Sequence, residues 1–212
     1  EFETGGAVHR LVFSKPDISM VPQQVTADVR DIVDAARAIF GKLPYKDYTF
    51  LVKVQPQTGS GGVEHLNSAR ITVGENDFAS QTSYRRFLFV AAHEFFHLWN
   101  VKRIRPKVLG PFDYTQEVHT RLLWMLEGIT NYYGDLLLER TGIYTRPDFL
   151  SNAGATIDAP DSMVVNYAVA NALAAPVAFA ADAPAGSPLR IRSPLGFAAN
   201  DRVAAVSLTG SC

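Results

Sequence analysis

Residues 87–105 read FLFVAAHEFFHLWNVKRIR, and this stretch decides the fold expected of the chain. His93 and His97 are four residues apart, so on a helix they lie on one face, about 6 Å apart along the axis. Two imidazoles placed in this way can bind one metal ion. Glu94 follows the first histidine, where its carboxylate can act as a general base on a water molecule activated by the metal. The HExxH pattern indicates a zinc hydrolase.

The residues before this motif, 87–92, are apolar and predict a buried helix. A buried helix does not direct two histidines and a glutamate into its surroundings unless something pairs with them. Thr82 or Ser83 is expected to cap the helix, which we extend to about Asn100. The basic run at 102–107 follows, where cations suit the negative end of the helix dipole.

A second helix is predicted from 117 to 139 and ends before Gly142. Glu127 lies within it among apolar residues, where a carboxylate is costly unless it is paired or bound to metal. Glu127 is therefore the expected third ligand, with water in the fourth position. His119 and Asp135, in the polar parts of the same helix, remain rivals. Asn131 lies one turn after Glu127, where its side chain can hydrogen-bond the far nitrogen of a ligand histidine.

Before these helices the pattern predicts strands and one packing helix. From the residues alone, Glu64 and His65 on the edge after the Gly-rich turn at 57–62 can be ordinary surface residues. The order of elements favours an α+β fold in which a small mixed sheet precedes the helices that carry the ligands. The predicted strands are 8–14, 48–54 and 70–73, and the predicted packing helix begins at a Thr26 cap and ends at Gly41.

Composition narrows the possible partners of the protein. The formal net charge is −1 over 212 residues, which gives no indication of nucleic acid or an anionic membrane as partner. Cys212 is the only cysteine, so neither a disulfide nor a cysteine metal site is expected within the chain, and the compartment stays open. The start, Glu1-Phe2-Glu3, does not resemble a signal peptide, and the window 163–181 is a poor membrane span. We expect a soluble fragment of a larger protein.

Three blocks of sequence together resemble the glycyl aminopeptidase family of gluzincin metallopeptidases, whose catalytic domain is thermolysin-like. The resemblance covers about residues 4–148, and it implies one zinc ion as cofactor. His93, His97 and Glu127 match the zinc ligands of the family, and Glu94 matches its catalytic base. The blocks are GGVEH at 61–65, HEFFHLWNVKRIRP at 93–106 and LEGITNYY at 126–133.

The resemblance also implies residues that bind the substrate. The first block matches the exopeptidase motif, whose acidic residue, here Glu64, receives the free α-amino group of the peptide. Family members prefer glycine or alanine at the N-terminus of the substrate. Related aminopeptidases stabilise the oxyanion with a downstream tyrosine, for which Tyr167 is the candidate here. The other residues of the motif are Gly61, Gly62 and His65.

Three functions remain open at this point. An aminopeptidase acting on peptides or proteins is the primary hypothesis; a zinc endopeptidase with an open cleft and a zinc-stabilised binding module without useful activity are the alternatives. Family members usually carry an N-terminal β-domain, a longer helical region and often a PDZ domain, none of which is visible here. We therefore divide the chain into a catalytic core at 1–150 and an Ala-rich appendage at 151–212, helical or partly disordered and in part foreign to the family. The oligomeric state is not predicted.

Overall fold

The computed structural model describes residues 1–15, 21–56, 61–111, 115 and 117–158, with side chains described up to 153, together with residues 178–179 and 191–192. The strands are β1 (Phe2–Thr4), β2 (Ala7–Phe13), β3 (Asp47–Gln55), β4 (Gly61–Glu64), β5 (Ser68–Gly74), β6 (Ala178–Phe179) and β7 (Ile191–Arg192). The helices are α1 (Val25–Phe40), α2 (Gln81–Phe96), α3 (Leu123–Arg140) and α4 (Arg146–Asp158), with a 3₁₀ turn at Lys107–Leu109.

The first five strands form one mixed sheet in the order β1-β2-β3-β5-β4. The three inner strands are parallel, and each edge strand runs antiparallel to its neighbour. In β3, Tyr48, Phe50 and Val52 are buried whereas Leu51 and Lys53 are exposed, so the helices cover one face of the sheet. The expected α+β class is confirmed, and its predicted strands lie within one or two residues of those observed.

The core forms where helix α2 packs on the buried face of the sheet. The Phe95 ring lies 5.0 Å from the Tyr48 ring and 5.8 Å from the Phe50 ring, measured between centroids, and 5.6 Å from the Trp99 ring. Phe95 is fully buried and points to the sheet, because it stands on the face of α2 opposite to His93 and His97. Packing of this side of α2 thus orients His93 and His97.

Helix ends differ from the sequence-based expectations. Helix α1 begins at Val25, so Thr26 lies inside its first turn and does not cap it. Helix α2 is capped by Ser80, whose Oγ accepts the Ser83 N–H at 3.1 Å, not by Thr82 or Ser83. It ends at Phe96, four residues earlier than predicted, and α3 begins at Leu123 and not at 117. Glycines 41 and 142 follow α1 and α3 as predicted, each with φ of 77°.

Helix α2 ends early because the chain turns sharply between Leu98 and Ile104. Val101 has a φ of 116°, a strained conformation for a β-branched residue, and its N–H donates to the Ile104 carbonyl at 2.9 Å. The Arg103 guanidinium donates to the carbonyls of Leu98 at 2.8 Å and Pro44 at 3.1 Å. The basic run thus builds this turn, which corrects the expectation that most of its cations act on the helix dipole.

Helix α4 includes residues 151–158 of the segment expected to be helical or partly disordered, but its start at residue 146 was not predicted. It begins at Arg146, after a capping box in which the Asp148 carboxylate accepts the Thr145 N–H at 2.9 Å and Oγ1 of Thr145 accepts the Asp148 N–H at 3.3 Å. Asp148 also pairs with Arg85 of α2 at 2.5 Å. The helix runs through residue 150, where the sequence suggests a boundary. The division into a core and an appendage stays a prediction, since most residues after 158 lie outside those described. None of the helices in the described ranges is long and apolar enough to cross a membrane.

Candidate active site

Helices α2 and α3 bring the two histidines and Glu127 together in a buried cluster. The Nε2 atoms of His93 and His97 are 3.0 Å apart. Oε2 of Glu127 lies 3.3 Å from Nε2 of His93 and 3.6 Å from Nε2 of His97. The two imidazoles are almost fully buried and Glu127 is largely so, which leaves these three groups facing one another.

A glycine allows this approach of the two helices. A Cβ atom at Gly134 would lie 3.1 Å from Cε2 of Phe89 and 3.6 Å from the backbone of His93. The first of these contacts is tighter than usual and the second is an ordinary van der Waals contact, so a side chain at this position would press on the Phe89 ring of α2. Gly134 is therefore a packing residue at the contact between the two helices.

The separations between the three donor atoms suit a small tetrahedral ion. Zinc binds imidazole nitrogen and carboxylate oxygen at about 2.0–2.2 Å, so two ligands of a tetrahedral zinc are about 3.3 Å apart. The observed separations run from 3.0 to 3.6 Å. The donor set, two imidazoles and one carboxylate, is also one that zinc accepts in catalytic sites. These three residues therefore fit a zinc ion.

The charges of the cluster respond to burial and to the contacts inside it. Burial would raise the pKa of Glu127, but hydrogen bonds from His93 and His97 outweigh it and bring this pKa to about 2. Burial would lower the pKa of His97, yet the bond to Glu127 raises it to about 9. The pKa of His93 is lowered, chiefly by burial. Without metal, the cluster is thus held by an imidazolium and a carboxylate.

The rivals for the third ligand lie elsewhere. His119 is exposed and pairs with Glu117 at 3.5 Å, before α3 begins. Asp135 is buried but accepts a hydrogen bond from Asn152 at 3.0 Å, and its pKa is raised to about 6, mainly by burial. Neither belongs to a group in the described part of the chain whose atoms could share a metal ion with the two histidines.

Asn100 orients His97 and was missed from the sequence. Nδ1 of His97 lies 2.9 Å from the Asn100 carbonyl oxygen and donates to it. The Asn100 side chain in turn donates to the Leu126 carbonyl at 2.7 Å and to Oγ1 of Thr130 at 3.0 Å. This residue therefore links the end of α2 to α3 next to Glu127. The signal available in the sequence was an asparagine that directly follows the apolar residues Leu98 and Trp99.

Asn131 lies where a partner for the other histidine was predicted. Asn131 raises the pKa of the His93 imidazole, against the larger effect of burial, which lowers it. The role of Asn131 as a partner that orients His93 stays a prediction.

Glu94 lies beside the cluster and against strand β4. Its side chain is 5% exposed, and its pKa is raised to about 8, first by burial, with an opposing effect of His97. A Cβ atom at Gly62 would lie 2.5 Å from Oε1 of Glu94. A side chain there would push the Glu94 carboxyl group aside, so this carboxyl group occupies the place of a side chain on the strand.

Glu64 enters the same region from the end of β4. One of its carboxylate oxygens lies within 4.8 Å of both a Glu94 oxygen and a His97 ring nitrogen. The Lys102 ammonium lies 3.1 Å from Oε1 of Glu64, so a cation already faces this carboxylate. The Lys102 side chain is only 7% exposed, which its place in a basic run did not suggest.

The remaining candidates of the sequence analysis are Gly61, His65 and Tyr167. Gly61 precedes Gly62 in β4, with open space where its Cβ would be. His65 is exposed, and its N–H donates to the Ser68 carbonyl at 2.8 Å. Tyr167 lies outside the described residues.

The chain is similar to known peptidases. The family model of the M61 glycyl aminopeptidases matches residues 86–170, which extends the likeness beyond the 148 expected from the motifs. An aminopeptidase N family protein from Idiomarina loihiensis has a similar solved structure, with 34% sequence identity and a TM-score of 0.66. The match covers 76% of this chain and 28% of that chain. No curated protein matches the chain.

The two helices that carry His93, His97 and Glu127, the edge strand bearing GGVEH and the structural similarity agree with the family match: residues 86–170 of this chain match the M61 glycyl aminopeptidase family.

Proposed function

We propose that this chain carries the catalytic site of a zinc-dependent aminopeptidase that removes small N-terminal residues, glycine or alanine, from peptides. The supporting observation is the convergence of three buried donors, His93, His97 and Glu127, beside the carboxyl groups of Glu94 and Glu64. The mixed sheet followed by the two ligand helices is consistent with a thermolysin-like zincin core.

Each ligand helix has its own part in this proposal. His93 would hold the zinc ion from α2, His97 from the residue that caps the end of this helix, and Glu127 from α3. When bound, the ion supplies Lewis-acid chemistry, since it acidifies a water molecule and polarises the scissile carbonyl group. Binding also neutralises the carboxylate of Glu127, which is buried between the two imidazoles.

Glu94 would move the proton. Its carboxylate takes a proton from the attacking water and then donates it to the leaving amine. A carboxyl group with a pKa near 8 in the metal-free protein suits the second step, and a nearby dication favours the ionised form needed for the first. Gly62 keeps the space that this side chain requires.

Strand β4 would bind the peptide. It lies at one edge of the sheet and pairs only with β5 among the described strands, so an extended peptide could add to it through main-chain hydrogen bonds. Glu64 ends this strand, where it would receive the α-amino group and restrict cleavage to the first bond. In this proposal Gly61 and His65 flank the bound peptide, and Tyr167 would stabilise the oxyanion.

The proposed specificity predicts cleavage of an alanine-headed peptide with a free N-terminus and none of its N-acetylated counterpart. The reason is that acetylation removes the charge that Glu64 would bind. Glu64→Gln is expected to lower kcat/KM for the free peptide about ten- to hundredfold, the range of a hydrogen bond between charged groups. Product analysis by mass spectrometry checks both expectations.

Cleavage of both peptides would instead indicate an endopeptidase with an open cleft. Stoichiometric zinc without cleavage of either peptide would indicate a binding module.

Zinc binding should depend on pH through His97. Because the pKa of this imidazole is about 9 without metal, it is protonated at neutral pH and zinc must displace the proton. Affinity is therefore expected to rise as the pH is raised towards about 9, with release of about one proton from His97 at neutral pH.

The number of protons released on zinc binding is measured by isothermal titration calorimetry of the Glu94→Gln protein in two buffers of different ionisation enthalpy. This variant is used because it has no proton on Glu94 that zinc binding could release. An affinity that does not change with pH would contradict the account.

Gly62→Ala should reduce turnover while zinc stays bound, because the added methyl group displaces the Glu94 carboxyl group. We expect a loss in kcat of about 100-fold or more, the usual contribution of a general base. Gly61→Ala is the matched control for kcat, since it adds the same methyl group to the same strand without a contact with Glu94; because Gly61 flanks the bound peptide in this proposal, any effect there is expected in KM. Equal activity of the two variants would show that the contact with Glu94 has no part in catalysis.

A further inference from the structure

Lys102 and Glu64 form an ion pair at the edge of the site that the mechanism above does not use. The Lys102 Nζ lies 3.1 Å from Oε1 of Glu64. Their side chains are 7% and 25% exposed, so the pair is much less hydrated than a surface ion pair. A lysine is rarely buried to this degree unless its charge has a partner.

The backbone around Lys102 aims its side chain. Its N–H donates to the His97 carbonyl at 3.0 Å, and its own carbonyl accepts from Nη1 of Arg105 at 2.6 Å. The residue before it, Val101, has the strained φ of 116°. Strain of this kind persists only where the surrounding contacts enforce it, and it is concentrated at functional sites.

Two carboxyl groups face each other here. Oxygens of Glu64 and Glu94 lie within 4.8 Å of one another, and Lys102 opposes the effect of Glu64 on the pKa of Glu94. Two neighbouring carboxylates repel, and a nearby cation offsets this repulsion. One ion pair does not saturate Glu64, because a carboxylate has about four acceptor positions on its two oxygens.

We propose that Lys102 is the positioning residue for Glu64: its ammonium group holds the carboxylate that receives the substrate's α-amino group and compensates its charge. This inference rests on the aminopeptidase function proposed above. Lys102 acts through Glu64 and does not itself contact the reacting atoms. Its loss should therefore remove the preference for a free N-terminus without removing zinc.

Binding to a variant without turnover tests this directly. The whole chain carrying Glu94→Gln is loaded with zinc, and the Kd values of an alanine-headed tripeptide amide and its N-acetylated form are compared by isothermal titration. The free peptide is expected to bind about ten- to hundredfold more tightly. Adding Lys102→Met should reduce this ratio to near one, and adding Glu64→Gln to that variant should change it no further.

Lys107→Met is the matched control, since this lysine of the same basic run is exposed and should leave the ratio unchanged. Lys102→Arg keeps a positive charge and should retain most of the preference, and it serves in the same assay if the methionine variant does not fold. Zinc content is measured in every variant.

An unchanged ratio in Lys102→Met would overturn the inference. An increased ratio would overturn it too, because Lys102 would then compete with the substrate amine for Glu64. If the Glu94→Gln protein itself binds both peptides equally, the aminopeptidase proposal fails, and this inference fails with it. If that protein prefers the free peptide and the added Lys102→Met change leaves the ratio of the two Kd values as it was, only the role of Lys102 is rejected.

Discussion

The burial of the Glu127 carboxylate between two imidazoles is the interaction on which the site depends. A buried carboxylate is costly unless it is paired, and here the pairing reverses the effect of burial on its pKa. The histidines come from one helix and the glutamate from another, so the cluster requires the close contact that Gly134 permits and the link that Asn100 forms. A metal ion would take over the neutralising role of the protonated histidine.

The turn after α2 joins this cluster to the edge strand. Within seven residues it supplies the carbonyl that orients His97, the strained backbone at Val101 and the ammonium group that faces Glu64. Helix α2 and the turn that follows it thus supply the positive charges that face the acidic groups of the site, Glu127 and Glu64. This arrangement relates the candidate metal site to the candidate site for the peptide N-terminus.

Much of this arrangement could be predicted from the sequence, because it depends on spacing. The spacing of the two histidines and the apolar segment around Glu127 predict the cluster, and the alternation of apolar and polar residues in β3 predicts the strand. The missing parts arise from tertiary contacts. Lys102 stands in a basic run that resembles a solvated helix end, and only the turn buries it. Thr145 and Asp148 cap a helix whose sequence has little amphipathic pattern, and the role of Gly62 depends on Glu94, a side chain distant in the sequence.

Anomalous X-ray scattering at the zinc edge, from crystals of the zinc-loaded protein, tests the central claim most directly. The account predicts one peak about 2.0–2.2 Å from Nε2 of His93, Nε2 of His97 and a carboxylate oxygen of Glu127. A peak among Glu64, Glu94 and His97, the other group of described residues with suitable spacing, would contradict it, as would zinc bound away from both histidines.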